Sequence, residues 1–319
     1  MRIFITGGSG FVGGHAIEAL REGGHEVLAL ARSERSAAAV EALGATAVRG
    51  ALGAVPEAPL RGVEVVIHAA AFVEEWGTRE QFEEANVVGT TQLLEVAQAA
   101  GVGRFIHVGT EAAVFTGQDL DQVTEALPYP EEHRYLYAET KARAEQAVLA
   151  ANREGFVTLS LRPSLIWGPR DRSVLPTVLE MVEAGRFVWI NGGEYARSVT
   201  NVRNLTHAMV QALEHGEGGS AYFIADDGET TLREFLTALA GTQGVALPGR
   251  SMPAWLVRPL AGVLEDTWRT FGLRSTPPLH RFVAELMSSH VTVDTSKAKA
   301  ELGYAPVVGL SEGLAEMRA

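Results

Sequence analysis

Tyr137 and Lys141, in the run Tyr137-Ala138-Glu139-Thr140-Lys141, stand four residues apart. On a helix this puts both side chains on one face, a turn apart. A free tyrosine has a pKa of about 10 and exchanges protons poorly at neutral pH. A nearby ammonium favours the phenolate and is expected to pull that pKa down. A phenol tuned in this way can trade a proton with a substrate oxygen while a cofactor carries a hydride. The same spacing also describes an ordinary surface pair. Residue usage separates the two: Lys141 is the sole lysine before Lys297, and every other basic residue up to there is arginine. A compact ammonium is not interchangeable with a planar guanidinium, so the exception points to a site that arginine cannot serve. Tyr129 and Tyr135 lack such a partner, because four residues on they meet His133 and Glu139.

The chemistry needs a cofactor platform, and the chain opens with one. Residues 2–6 form a short apolar, β-rich run, followed by Gly7-Gly8-Ser9-Gly10-Phe11-Val12-Gly13-Gly14 and then a helical pattern. Strand, glycine turn and helix form the context in which a dinucleotide fingerprint has physical meaning: glycine lets the backbone approach a pyrophosphate at a helix N-terminus. Two registers fit, Gly8-x-Gly10-x-x-Gly13 and Gly7-x-x-Gly10-x-x-Gly13. The second strand, 26–31, leads into Arg32-Ser33-Glu34-Arg35. An NAD site usually has an acid near this point, roughly 20 residues on, for the ribose hydroxyls. Arginine suits a 2′-phosphate instead, so Arg32 favours NADP over NAD, with Glu34 pulling the other way.

Further along, 63–71 reads as a buried strand ending in His68-Ala69-Ala70-Ala71, with small residues where a flat ring needs room and His68 as a core histidine. A helix is expected over 78–100, containing Asn86, and a strand over 104–109 that presents Thr110 at its carboxyl end. Ligands sit at that end in open parallel sheets. Residues 112–130 read as loop, the Tyr137 helix as running from about 131 to 154, and 156–161 as a strand leading into Arg162 and Pro163. This alternation predicts an α/β protein with a doubly wound parallel sheet. It loosens after residue 168, where a smaller mixed lobe is expected. The division is 1–168 for the dinucleotide, with a return segment at about 188–225, and 169–187 plus 226–319 for the substrate.

With 319 residues the chain can bury a large core. A net charge of −12 argues against nucleic acid or an anionic membrane as partner. No apolar run reaches the roughly 18 residues of a membrane span. Cysteine is absent, which removes disulfides and thiolate metal sites, and no metal site is expected. With no visible signal peptide, a cytoplasmic location is expected.

Taken in order, these segments resemble the extended short-chain dehydrogenase/reductase family over nearly the whole chain. The signposts are Thr6 through Gly13, His68 through Ala71, Asn86-Val87-Val88-Gly89-Thr90, Tyr137 through Lys141, and Arg162-Pro163 through Gly168-Pro169. The resemblance implies a Rossmann fold and a triad in which Tyr137 is the acid/base, Lys141 tunes it and holds the nicotinamide ribose, and Thr110 orients the substrate carbonyl. It implies cofactor contacts from Gly7, Ser9, Gly10, Phe11, Val12, Gly13, Arg32, Ala69, Ala70, Ala71, Asn86, Tyr137, Lys141, Pro163 and Ile166. Family members often carry two consecutive hydroxyl residues where this chain has Gly109-Thr110, and Glu111 competes for the third triad slot. The segment Val202-Arg203-Asn204-Leu205 is similar to 3β-hydroxysteroid dehydrogenase-like and dihydroflavonol reductase-like members. That subgroup implies an NADP(H)-dependent oxidoreductase interconverting a carbonyl and an alcohol on a bulky hydrophobic small molecule. An NAD-dependent nucleotide-sugar epimerase, with Arg197 clamping a pyrophosphate, is the alternative, and a non-catalytic dinucleotide sensor a third. Related proteins pair the helices at 78–100 and 131–154 across a homodimer.

Overall fold

Residues 1–73, 76–273 and 275–318 are described by the computed structural model. Seven parallel strands form the central sheet: β1 (Arg2–Thr6), β2 (Glu26–Ala31), β3 (Thr46–Arg49), β4 (Val65–His68), β5 (Arg104–Val108), β6 (Val157–Pro163) and β7 (Ser220–Ile224). Their order is β3-β2-β1-β4-β5-β6-β7, so the winding reverses between β1 and β4. Such a reversal opens a crevice at the carboxyl ends of the strands. The helices that matter below are α1 (Phe11–Glu22), α2 (Glu34–Ala42), α3 (Gly89–Ala99), α4 (Leu136–Ala150), α5 (Val174–Glu183), α6 (Val202–Gln211), α7 (Leu232–Gly241) and α8 (Ala254–Thr270).

Successive strand residues point to opposite faces, and β1 shows the consequence. Ile3 and Ile5 pack with Ile17 and Leu20 of α1 and Leu205 and Met209 of α6. Phe4 points the other way, into Val66, Leu93 of α3, Phe105 and Val148 of α4. A strand buried on both faces must be apolar throughout, as residues 3–5 are. Beyond the sheet, α5 and α7 share a separate apolar cluster with Trp167, Phe187 and Trp189. The α8 helix packs through Val257 and Ala261 on Ala284 of the short Arg281–Leu286 helix.

Three expectations shift. The long helix expected over 78–100 is a short turn, Arg79–Phe82, then a π-helical stretch, Glu83–Val88, then α3. The wider turn presents Asn86 inward. α4 starts at Leu136, not near 131, because Tyr135 is extended (φ −127°, ψ 128°). Its ring is held by Phe115 and Phe282, with centroids 6.1 and 5.2 Å away. Residues 112–130 are not all loop: Leu120–Val123 pairs in parallel with Val291–Val293, a partner so distant in the chain that no local pattern reveals it.

α4 is tied to the sheet by a buried ion pair. Arg162 of β6 donates from Nε and Nη2 to Glu145 Oε1 at 2.9 and 2.8 Å. Ser160 and Tyr129 hydroxyls donate to the same carboxylate at 2.6 and 2.7 Å. Both charged side chains are essentially sealed from water. Removing one partner leaves an uncompensated buried charge, which costs about 3–5 kcal/mol. Arg162→Leu should lower the unfolding free energy in urea by that amount. A loss of under about 1 kcal/mol, the size of a surface pair, would mean that the pair does not anchor the helix.

Candidate active site

The site is assembled at the carboxyl end of β5. Gly109 follows the strand and donates its N–H to Leu161 O at 2.7 Å. A Cβ there would stand 2.7 Å from both Glu145 Oε2 and Ser160 Oγ. The buried carboxylate thus excludes a first hydroxyl residue, and Thr110 stands alone. Thr110 caps the turn Glu111–Val114, accepting from Ala112 N at 3.1 Å and donating to Glu111 Oε2 at 2.9 Å. Glu111 is buried, and that burial raises its carboxyl pKa against the pull of Thr110 and the more distant Arg197.

Tyr137 sits in the first turn of α4, with its ring against Phe282 at 5.7 Å. Lys141 follows one turn later, as its spacing requires. Its buried ammonium donates to Val108 O at 2.7 Å. Desolvation lowers its pKa to about 8, with Glu145 opposing. The expected acidification of the phenol does not occur in this arrangement. Burial, and next the Glu111 carboxylate, push Tyr137 up to about 12, with Thr110 opposing. The ammonium is spent on a carbonyl rather than on the phenolate, so proximity in sequence did not translate into electrostatic tuning.

The glycine turn packs as tightly as its composition suggests. Gly7 has φ +76°, and a Cβ on Gly13 would lie 2.2 Å from Gly7 O. Gly10 N donates to that same carbonyl at 2.9 Å. The register Gly7-x-x-Gly10-x-x-Gly13 therefore describes the turn itself, while Gly8 makes room for Ile17. Gly10 precedes α1 as its N-cap with no side-chain hydrogen bond, and the first turn of the helix holds no acid. Its N–H groups at Phe11, Val12 and Gly13, beside Ser9, are left for an anion, which the helix dipole favours. The residues present fit a dinucleotide pyrophosphate.

Behind the turn, His68 is a core residue with every polar atom satisfied. Thr90 Oγ1 donates to Asn86 O at 2.6 Å, so it accepts from His68 Nε2 at 2.9 Å. Nδ1 must then accept from Thr6 Oγ1, at 2.7 Å. Thr6 in turn accepts from Ala70 N at 3.2 Å. This chain holds Ala69, Ala70 and Ala71 at the end of β4, half-buried beside Gly7. Asn86 accepts from Phe72 N at 2.7 Å and donates to Phe72 O and Thr140 Oγ1 at 3.2 and 3.1 Å. Its amide fastens this segment to α4 rather than standing open. Arg32 is exposed just beyond β2. Neighbouring Glu34 pairs with Arg49, and Ser33 caps α2. Pro163 ends β6, and Ile166 lies half-buried in the strand Leu165–Trp167.

Next to Tyr137 opens a cavity of about 330 Å³ whose wall includes Trp76, Phe82, Arg134, Tyr135 and Phe282. Sequence reasoning set Tyr135 aside, yet its ring forms part of this wall. Arg197 lies elsewhere: it is buried, with its guanidinium on the carbonyls of Leu286 and Ser289.

Comparison with known proteins fits this geometry. Residues 3–225 match the NAD dependent epimerase/dehydratase family, and the chain belongs to it. It is 39% identical, over all of its length and 96% of the relative's, to the 4-hydroxy-2-methyl-3-oxo-4-farnesyl-3,4-dihydroquinoline-1-oxide ketoreductase of Stigmatella aurantiaca. It is 34% identical, over all of its length and 99% of the relative's, to the 2-alkyl-3-oxoalkanoate reductase of Stenotrophomonas maltophilia. The UDP-glucuronic acid 4-epimerase of Bacillus cereus shares the fold, with a TM-score of 0.76 at 20% identity over 100% of this chain and 98% of that one. The protein is an NAD(P)-dependent dehydrogenase/reductase. Among the described residues no helix is long and apolar enough to cross a membrane.

Burial holds His68 neutral, with its pKa lowered from 6.5 to about 3, and the Lys141 charge adds to the effect. The unfolded chain therefore takes the proton first, so stability falls as pH drops below 6.5 and continues to fall towards 3. Each such histidine contributes about 1.4 kcal/mol per pH unit in that window. His107, also buried and lowered, contributes a second share. Urea denaturation of His68→Gln should show an acid slope shallower by about one histidine's share. An unchanged slope would contradict the neutral assignment.

Proposed function

We propose that the protein is an NADP(H)-dependent ketoreductase for a ketone flanked by a bulky apolar substituent. The observation that carries this is Tyr137, which borders a cavity with aromatic walls, together with Thr110, which follows the carboxyl end of β5. Both relatives named above act, by their names, on 3-oxo compounds. A bound nicotinamide supplies the hydride. Thr110 turns its hydroxyl to the substrate carbonyl and orients it. The Tyr137 phenol donates the proton to the oxygen as the alkoxide develops. Lys141 holds the nicotinamide ribose, and its positive charge favours negative charge developing nearby. Residues 169–187 and 226–319 form the substrate side of the crevice, and residues 1–168 with the return segment hold the dinucleotide. The exposed Arg32, with Glu34 drawn away by Arg49, supports recognition of the 2′-phosphate of NADP. The buried position of Arg197 speaks against a pyrophosphate clamp and hence against a nucleotide-sugar epimerase. A homodimer through the α3 and α4 faces completes the proposal.

Tyr137→Phe should bind NADPH as the parent does and lose NADPH-dependent reduction of 2-alkyl-3-oxo esters by about 10²–10⁴-fold. Full activity in that variant would overturn the assignment. Arg32→Ala removes a charge-assisted contact worth about 1.5–3 kcal/mol. In a titration it should weaken NADPH by roughly tenfold to a hundredfold and leave NADH nearly unchanged. Equal losses for both dinucleotides would place the 2′-phosphate elsewhere.

A further inference from the structure

The cavity beside Tyr137 is rich in cations, although the chain as a whole has a net charge of −12. Among the described residues its lining sets Arg79, Arg134 and Arg269 against one carboxylate, Glu265. We propose that this cavity binds a carboxylate of the substrate through Arg134, and so selects a 3-oxo acid over the corresponding neutral ester. This rests on the ketoreductase reading above and names the substrate class for the same site.

The three guanidinium groups are not equivalent. Arg79 donates from both terminal nitrogens to Glu139, at 2.8 and 3.1 Å, which closes its fork. Arg269 pairs with Glu265 at 3.1 Å and lies over the Trp76 ring, 4.5 Å from its centroid. Glu265 also accepts from Arg281 N at 2.9 Å, so the carboxylate of the lining is already shared. Arg134 has no ion pair and no hydrogen bond among the described residues, and solvent reaches it. Its planar fork of donors matches a carboxylate, which a neutral ester carbonyl cannot replace.

Its place in the chain ties this cation to the chemistry. Arg134 precedes Tyr135, whose extended backbone and ring, held by Phe115 and Phe282, set the entry into α4. Tyr137 follows in the first turn of that helix and lines the same cavity of about 330 Å³. An anion at Arg134 and a carbonyl at Tyr137 therefore share one small space. That suits a carboxylate joined to the carbonyl by a short link, as in a 3-oxo acid. The phosphates of a carrier thioester stand at the far end of a long tether and do not fit this arrangement. Phe82 and Phe282 supply apolar wall for the substituent between the two groups.

A 3-oxo acid loses carbon dioxide in solution, so the test runs in the oxidative direction on stable compounds. Steady-state oxidation at saturating NADP+ is compared for 2-hexyl-3-hydroxydecanoate, its methyl ester and its coenzyme A thioester. Solvent around Arg134 holds the expected preference to the low end for a charge-assisted contact. The wild type should favour the acid over the ester by about tenfold in kcat/KM, mainly through KM. The thioester should behave as the ester does. Arg134→Gln should bring the acid-to-ester ratio to about one, and Arg134→Lys should restore part of it. A loss by the same factor on both compounds leaves the ratio unmoved, marks a structural role and overturns the proposal. A wild type that prefers the ester or the thioester overturns it as well. Salt provides a check that needs no variant: it should raise KM for the acid and not for the ester, and equal responses contradict the proposal. A fully active Tyr137→Phe, or no turnover of any of the three compounds, removes the ketoreductase reading and this inference with it. An inactive Tyr137→Phe beside a wild-type ratio of one removes the role of Arg134 alone.

Discussion

The carboxylate of Glu145 is the constraint on which the site depends. It lies between α4 and the sheet, where it accepts from Arg162, Ser160 and Tyr129. A buried charge with this many donors fixes the helix in register, because any slip would strand it without partners. Two consequences follow for the chemistry. The helix holds Tyr137 and Lys141 over the end of β5. The same carboxylate also occupies the space that a side chain at residue 109 would need, so Gly109 is required and Thr110 becomes the lone hydroxyl.

The site then separates two charges that their spacing in the chain suggested would meet. Lys141 donates to Val108 O. Tyr137 instead lies against Phe282, with burial and then the Glu111 carboxylate raising its pKa. Desolvation costs the ammonium and the phenolate alike, so burial lowers one pKa and raises the other. A phenol raised in this way keeps its proton at neutral pH and is a weaker acid than free tyrosine.

How much the chain revealed beforehand depended on how local the cause was. The glycine turn, the strand end at Thr6, and the spacing of Tyr137 and Lys141 on one helix are set by residues within a few positions of one another, and their placement could be read directly. The start of α4 could not, because Tyr135 is held extended by Phe115 and Phe282, which are remote in sequence. The strand Leu120–Val123 was invisible for the same reason, its partner being Val291–Val293. The direction of the Tyr137 pKa shift was misjudged because spacing gives neighbours but neither burial nor the competing carbonyl. Asn86, expected inside a long helix, lies in a π-helical stretch with its amide committed to Phe72 and Thr140.

The most direct measurement follows the hydride. NADPH deuterated at its transferable position should be incubated with the enzyme and a 2-alkyl-3-oxo ester, and the product examined by mass spectrometry. Deuterium bonded to the new carbinol carbon, with a primary isotope effect on turnover, is the result this account predicts. Deuterium that stays on the cofactor, from a protein that instead interconverts a nucleotide sugar with tightly held NAD, would contradict it.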